Sequence, residues 1–247
     1  MAGLKEIKEF RDRLRRRVWE AMMREGVARF PLPTYGRIPN FIGAEVAARR
    51  LAATREFLRA EVVKVSPDSP QRPVREEVLR RGKRLVMPTP RIREGFLLID
   101  PAKIPRGAFG AASTIRGAFR YGIKVKPWNL PEVDLIVTGS VAVDLSGTRL
   151  GKGRGYSELE YGILLECGKV STDTPVFTTV HDIQVLEDVE IPRLPWDVTV
   201  DKIFTPTRGL SASGPKQRPP GILWEYVRDR VNEIPLLMEL RRRVKGG

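Results

Sequence analysis

The stretch over residues 133–167 constrains the fold more than any other part of the chain. An apolar, β-branched run over residues 133–144 predicts a strand that is buried on both faces. The apolar spacing over residues 159–167 predicts a helix with one apolar face. Residues 148–158, which are rich in glycine, lie between them. Strand, glycine-rich turn and helix in this order are typical of a place where backbone N–H groups converge on a phosphate.

The residues of this turn favour the binding of an anion. Gly151, Gly153 and Gly155 permit positive φ angles and close approach of a ligand to the backbone. Lys152 and Arg154 add positive charge around the same concavity. The spacing matches neither the dinucleotide fingerprint nor the P-loop motif. A flexible basic turn is therefore the alternative that the glycine spacing alone leaves open.

A second segment predicts a parallel crossover. Residues 61–65 and 84–88 have the composition of strands, with a loop over 66–73 and a helix over 74–81 between them. Ligands bind at the carboxyl ends of such strands, so Asp68 in the loop is a candidate ligand-binding residue. A structural role for Asp68 in an Asx-turn is the alternative.

The counts of cysteine and histidine limit the catalytic and metal sites that the chain can form. A single cysteine, Cys167, excludes an internal disulfide framework and a cysteine-based zinc cluster, and packing is its expected role. The only histidine, His181, excludes a catalytic triad and a multi-histidine metal site, and we expect it to be hydrogen-bonded in a structural role. No apolar stretch approaches the ~20 residues of a membrane span. The N-terminus lacks the apolar core of a secretory signal. We therefore expect a cytoplasmic protein with no membrane partner.

The formal net charge of +14 favours anionic partners. It suits nucleic acid or anionic small molecules, and arginine-rich charge also supports thermal stability. No aromatic RNA-recognition motif is present, so nucleic acid is a secondary candidate. Charge alone leaves RNA, anionic ligands and thermal stability open.

A longer string of residues resembles a known family. The sequence Arg-Leu-Gly-x-Gly-x-Gly-Tyr at residues 149–156, preceded by Val-Ala-x-Asp at 141–144, resembles the 5-formyltetrahydrofolate cyclo-ligase (5,10-methenyltetrahydrofolate synthetase) family. Residues 11–15, Arg-Asp-Arg-Leu-Arg, lie in a predicted helix over 4–25 and resemble the Lys-x-x-Leu-Arg of that family's first helix. Narrower matches, to the synthetase domain of methenyltetrahydrofolate synthetase domain-containing proteins, lie at residues 37–41, 63–68, 88–91, 139–143, 151–153, 158–161 and 181–182.

The resemblance implies a fold and a reaction. The implied fold is a three-layer α/β sandwich with a mainly parallel central sheet, Rossmann-like and NagB/RpiA/CoA transferase-like, over residues 1–210. We expect a linker over 208–221, a helix over 222–231, and a C-terminal helical extension over 211–247 that packs on the same domain. The implied activity is that of a ligase of one-carbon metabolism, which cyclises 5-formyltetrahydrofolate to 5,10-methenyltetrahydrofolate with ATP and Mg²⁺. The alternative is a non-catalytic homologue on the same fold that binds nucleotide, folate or RNA.

The resemblance also implies roles for residues, with ATP and a reduced folate as partners of a monomer or homodimer. Glu158 would hold magnesium, at a position where the family usually has aspartate. The remaining assignments are Lys152, Arg154 and Tyr156 for catalysis; Arg11, Arg15, Arg149, Gly151, Gly153 and Gly155 for the nucleotide; and Asp68, Trp128 and Tyr156 for the folate.

Overall fold

The computed structural model describes residues 3–231 and 233–245. In those ranges the α-helices are α1 (Leu4–Arg24), α2 (Ala44–Ala52), α3 (Arg55–Arg59), α4 (Arg72–Arg80), α5 (Phe109–Ala112), α6 (Ile115–Tyr121), α7 (Tyr156–Glu166) and α8 (Pro235–Lys245). The strands are β1 (Ala28–Arg29), β2 (Asn40–Phe41), β3 (Val62–Val65), β4 (Arg84–Pro88), β5 (Phe96–Ile99), β6 (Ile123–Val125), β7 (Leu135–Thr138), β8 (Ala142–Asp144), β9 (Arg149–Leu150), β10 (Val176–Thr179), β11 (Val185–Leu186), β12 (Lys202–Phe204) and β13 (Gly209–Ser211).

An eight-stranded sheet forms the centre of the fold, in the order β13-β12-β10-β7-β3-β4-β5-β6. Strands β12, β10, β7, β3 and β4 run parallel, and the strands at both edges are antiparallel. The predicted crossover is present, because α4 connects the parallel neighbours β3 and β4. The prediction of an α/β fold with a mainly parallel central sheet is confirmed. Among the helices of the described ranges, none has the length and apolarity needed to cross a bilayer.

Helices cover both faces of this sheet, which is why its strands are apolar on both sides. In β3, Val63 and Val65 point into the cluster that contains residues of α2, α4 and α6. Val62 belongs to the opposite cluster, which contains residues of α7 and α8. A third cluster lies apart from the large sheet, where Leu14 and Val18 of α1 pack with residues of β8 and β9.

The apolar run over 133–144 is not one strand. It divides into β7, in the large sheet, and β8, which pairs antiparallel with β9 in a small sheet. Gly139 lies at the break, and a Cβ atom there would be 2.7 Å from Oε1 of Gln71. The hydroxyl of Ser140 lies 2.9 Å from that of Thr178. The chain leaves the large sheet at this point, so the glycine-rich turn follows a hairpin strand instead of a central strand.

The C-terminal segment also differs from the prediction. Residues 209–211, predicted as part of a linker, form β13 and pair antiparallel with β12. The helix predicted over 222–231 is replaced by two short 3₁₀ turns. The segment crosses α7 closely, since a Cβ atom on Gly162 would lie 3.0 Å from the carbonyl oxygen of Gly221. The backbone N–H of Ile222 donates to Oε1 of Glu166 at 2.8 Å. We attribute the loss of regular helix here to these long-range contacts.

A buried ion pair joins the central strand β3 to α7. Lys64 and Glu160 are 2% and 5% exposed, and the ammonium group donates to Oε2 of the carboxylate. Burial raises the pKa of Glu160, and the charge of Lys64 opposes that rise. Because an unpaired charge is very costly in an apolar interior, each partner requires the other.

Lys64→Met tests this coupling. Removing one partner of a buried pair costs about 3–5 kcal/mol of stability. Without Lys64 the pKa of Glu160 rises further above its value in the unfolded chain. The folded state then tolerates protonated Glu160 and loses stability as pH rises through the folded-state pKa. We expect urea unfolding to show a large loss at neutral pH that shrinks as the solution is acidified.

The double variant Lys64→Met/Glu160→Leu serves as the control. It carries no buried charge at this place, so it should recover much of the stability and lack the added pH dependence. If Lys64→Met loses the same amount of stability at every pH, the role of the pair is contradicted.

Candidate active site

The glycine-rich turn over residues 151–155 connects β9 to α7. Gly153 and Gly155 have φ angles of 89° and 62°, in the left-handed region that favours glycine, and Gly155 is the N-cap of α7. Within the described part of the chain, the backbone N–H groups of residues 152–155 donate no hydrogen bond to another residue. The first N–H groups of a helix also have no partner within the helix. The turn and the start of α7 therefore present a group of free donors.

On one side of the turn lies a cleft of about 420 Å³, which we call the strand-end cleft. Its walls include the loops that follow the carboxyl ends of β3 and β4, where ligands bind in open parallel sheets. Asp68 comes from the first loop and Arg91 from the second. Lys152, Arg154 and Tyr156 line the same cleft. Nζ of Lys152 donates to Oδ1 of Asp68 at 2.8 Å, so this ion pair joins the turn to the loop after β3.

On the other side lies a cleft of about 200 Å³, which we call the arginine cleft. Lys8, Arg11 and Arg15 of α1 line it, together with the three glycines of the turn. Nε of Arg15 donates to the carbonyl oxygen of Gly151 at 2.7 Å, so α1 holds the turn directly. Burial, with a smaller effect from the charge of Arg11, lowers the pKa of Arg15.

Two of the arginines assigned to the nucleotide have buried partners. The guanidinium of Arg11 donates to both carboxylate oxygens of Asp197, at 2.8 and 3.0 Å. Arg149 donates to the carbonyl oxygen of Gly139 at 3.0 Å and forms an ion pair with Glu158. Both arginines are nearly fully buried. These contacts fix the residues around the turn. Arg15, Lys152 and Arg154 are therefore the cations better placed to meet a ligand than Arg11 and Arg149.

Glu158, the residue assigned to magnesium, has a cationic partner in this structure. The carboxylate of Glu158 already accepts a hydrogen bond from Arg149. Over residues 3–231 and 233–245, no group of three or more histidine, cysteine, aspartate or glutamate side chains is placed to hold a metal. Magnesium requires near-octahedral oxygen coordination, and it is usually bound through one or two carboxylates together with substrate phosphates and water. Glu158 would therefore hold magnesium only together with phosphate oxygens of a bound ligand, and this role stays a prediction.

The structure does not bring Trp128 to the turn. Its ring packs against the guanidinium of Arg243 in α8, with 4.2 Å between the charged carbon and the ring centroid. Trp128 is absent from the walls of the strand-end and arginine clefts. Residues 127–129 directly follow β6, whose last residue, Val125, lies level with Phe96 and Pro88 at the carboxyl end of β4. The folate-stacking role of Trp128 stays a prediction.

Other residues at the site were not identified from the sequence. Lys8 is one of them, although helical spacing could have revealed it, because it precedes Arg11 by three residues and Arg15 by seven. Trp196 also lines the arginine cleft, but it belongs to no periodic pattern in the sequence that would have identified it. His181 has a structural contact, since its Nδ1 accepts a hydrogen bond from the N–H of Ile183 at 3.3 Å.

Comparisons with known proteins relate the chain to one family. The model of the 5-formyltetrahydrofolate cyclo-ligase family matches residues 5–206. A methenyltetrahydrofolate synthase domain-containing protein from Mus musculus is 40% identical over 235 residues, which cover 94% of this chain and 63% of that protein. The Homo sapiens protein of the same name is 38% identical over 233 residues, covering 93% and 61%. The chain thus spans about three fifths of the length of these curated relatives.

A more distant relative and a solved structure extend the comparison. A 5-formyltetrahydrofolate cyclo-ligase from Mycolicibacterium smegmatis is 28% identical over 141 residues, covering 56% of this chain and 67% of that protein. The NMR structure of 5,10-methenyltetrahydrofolate synthetase from Aquifex aeolicus has a TM-score of 0.52 and 23% identity, covering 84% of this chain and 95% of that one. This last likeness supports the fold alone.

The conformation of Gly155 generates a prediction about stability. Gly155→Ala places an L-residue in the left-handed region, which costs about 1–2 kcal/mol. Gly155→Asn should cost less, because asparagine visits this region more readily. Gly107→Ala is the control, since Gly107 has no positive φ angle and a Cβ atom there meets nothing within 4 Å. Denaturant unfolding should rank the losses as Gly155→Ala, Gly155→Asn, Gly107→Ala. Equal losses in the first and last variants would show that Gly155 is not conformationally required.

Proposed function

The chain belongs to the 5-formyltetrahydrofolate cyclo-ligase family, and from this we propose that it catalyses the ATP-dependent cyclisation of 5-formyltetrahydrofolate to 5,10-methenyltetrahydrofolate. The observation that carries the proposal is the position of the glycine-rich turn between two clefts. A reaction that transfers a phosphoryl group needs two substrates to meet at one set of phosphate-binding donors. Residues of the turn line both clefts, so its N–H groups are candidates for those donors.

The proposed reaction has two steps. The formyl oxygen attacks the γ-phosphorus of ATP, so that an O–P bond forms and the bond to the bridging oxygen of ADP breaks. N10 of the folate then attacks the formyl carbon and loses its proton to solvent. The carbon–oxygen bond breaks, and inorganic phosphate leaves with the former formyl oxygen. ADP, phosphate and 5,10-methenyltetrahydrofolate are the products.

The residues of the turn would act mainly by electrostatics and positioning. Free N–H groups of residues 152–155 and the start of α7 would bind the phosphate oxygens. Lys152 is 2.8 Å from Asp68, and it would exchange this partner for the γ-phosphate when ATP binds. Arg154 is exposed on the turn and would neutralise charge that develops on the transferred group. Arg15 would hold the turn in place through its bond to Gly151.

The strand-end cleft would bind the folate. Its volume of about 420 Å³ lies within the ~300–1,000 Å³ of small-molecule sites. Ile115 and Tyr156 give it apolar walls, which suit a pterin ring. Asp68, once released by Lys152, would accept hydrogen bonds from N–H groups of the folate. Arg37 and Arg91 line the same cleft and suit the carboxylates of a folate's glutamate.

A second candidate function is a homologue that binds nucleotide and folate without turnover. The observation that favours it is the pairing of charged side chains around the turn, Lys152 with Asp68 and Glu158 with Arg149. These pairs compete with phosphate and magnesium for the same groups. The two candidates differ in a single outcome, which is the formation of the methenyl product.

An activity assay separates them. We expect the purified chain, mixed with ATP, magnesium and 5-formyltetrahydrofolate, to produce the absorbance of methenyltetrahydrofolate and an equal amount of ADP. Binding of both ligands by calorimetry without product would favour the second candidate. If neither ATP nor 5-formyltetrahydrofolate binds, both candidate functions are contradicted.

Lys152→Ala tests the role of the turn. Loss of a charge-assisted hydrogen bond worth ~1.5–3 kcal/mol should weaken ATP binding by about tenfold or more. Stability should change by no more than about 0.5 kcal/mol, because Lys152 is an exposed loop residue. Lys103→Ala is the matched control, since Lys103 is exposed and lies outside the clefts described above. Calorimetry at matched ionic strength is the measurement. Equal ATP affinities in the two variants would remove Lys152 from the phosphate site.

A further inference from the structure

The C-terminal segment over residues 219–230 contributes a wall to the site. The family model ends at residue 206, so this segment lies beyond the matched region. It crosses the start of α7 and, with the turn, encloses a cleft of about 210 Å³, which we call the tail cleft. Leu159 and Ile222 are among its apolar walls, and Arg154 and Arg230 are among its cations.

An aromatic pair lies in the wall of this cleft. The rings of Trp196 and Tyr226 have centroids 4.5 Å apart with planes at 56°. Tyr226 is 46% exposed, so part of its ring remains open to a ligand. Nζ of Lys8 lies 5.8 Å from the ring centroid of Trp196. Aromatic faces stack on nucleobases and adjacent cations bind phosphates, so this combination fits a planar base joined to a phosphate chain.

The tail cleft is continuous with the arginine cleft. The two share Lys8, Gly153, Gly155, Glu158 and Trp196 in their walls. At about 200 and 210 Å³, each falls short of the ~300–1,000 Å³ of a small-molecule site, whereas the two joined clefts reach it. A single ligand that spans both would place its charged part against the turn and its planar part against the aromatic pair.

Arg230 brings a further cation from the C-terminal segment to the turn. Its guanidinium carbon lies 5.2 Å from the ring centroid of Tyr156, and Nη1 is 3.7 Å from the position of a Cβ atom on Gly155. In the region that the structure describes, no carboxylate forms an ion pair with Arg230. A guanidinium without a carboxylate partner, held beside free backbone N–H groups, is suited to a phosphate oxygen.

We propose that the C-terminal segment completes a nucleoside triphosphate site, in which Trp196 and Tyr226 hold the base and Arg230 binds a phosphate. This inference rests on the proposed function, because it assigns the rest of the ATP molecule whose γ-phosphate the turn binds. It also gives the segment beyond residue 206 a part in ligand selection. A base is required for full affinity, so the site distinguishes ATP from the bare triphosphate.

Calorimetric titration with two probes tests the proposal. ATP carries both the base and the phosphates, and inorganic tripolyphosphate carries phosphates alone. Tyr226→Ala should weaken ATP binding by about tenfold and leave the affinity for tripolyphosphate unchanged, because it removes only base stacking. Tyr226→Phe should keep the affinity for ATP, since the ring remains. Arg230→Ala should weaken the binding of both ligands by about tenfold.

Tyr35→Ala is the matched control. Tyr35 is 48% exposed and also contacts a tryptophan, with its ring centroid 5.9 Å from that of Trp19, but it lies outside both clefts. The Tyr35→Ala variant should bind ATP and tripolyphosphate as the unaltered chain does. Unchanged ATP affinity in Tyr226→Ala, or an equal loss of both probes, overturns this inference alone. Failure of the unaltered chain to bind either probe overturns the proposed function with it.

Discussion

The ion pair between Lys64 and Glu160 is the interaction on which the position of the site depends. Lys64 belongs to β3, at the centre of the parallel sheet, and Glu160 belongs to α7. Both side chains are buried, so neither tolerates the loss of the other. The pair fixes α7 over the carboxyl half of the sheet, and Gly155 at the start of that helix ends the glycine-rich turn. The buried charges thereby place the free N–H groups of the turn between the clefts.

The charged side chains around the turn divide into two groups with different tasks. Arg11 and Arg149 are buried, and each is neutralised by a carboxylate, so they stabilise the loop and its neighbours. Lys152 and Arg154 are exposed on the turn itself, where a ligand reaches them. Arg15 stands between the groups, since it lines the arginine cleft while bonding the backbone of the turn. The high positive charge of the chain thus serves both the structure and the proposed binding of anions.

Local periodicity was sufficient to predict the parallel crossover, helix α1 and the strand-to-helix turn with its glycines. It failed where contacts from distant parts of the chain decide the backbone. Gly139, at the break, lies too close to Gln71 to carry a side chain, and the chain near residue 221 lies close against Gly162. The packing of Trp128 against Arg243 of α8 joins distant parts of the chain, so sequence position did not reveal it. The resemblance placed the turn but carried no information on the tail cleft, half of whose lining residues lie beyond the matched region.

The central claim is that the formyl oxygen receives a phosphoryl group at the turn, and an isotope measurement tests it most directly. The substrate would be 5-formyltetrahydrofolate labelled with ¹⁸O in the formyl group, incubated with the chain and unlabelled ATP. Mass spectrometry of the inorganic phosphate would follow the label. The account predicts one labelled oxygen in each phosphate released with a methenyl product. Label that appears in water, with unlabelled phosphate, would contradict a phosphorylated formyl intermediate.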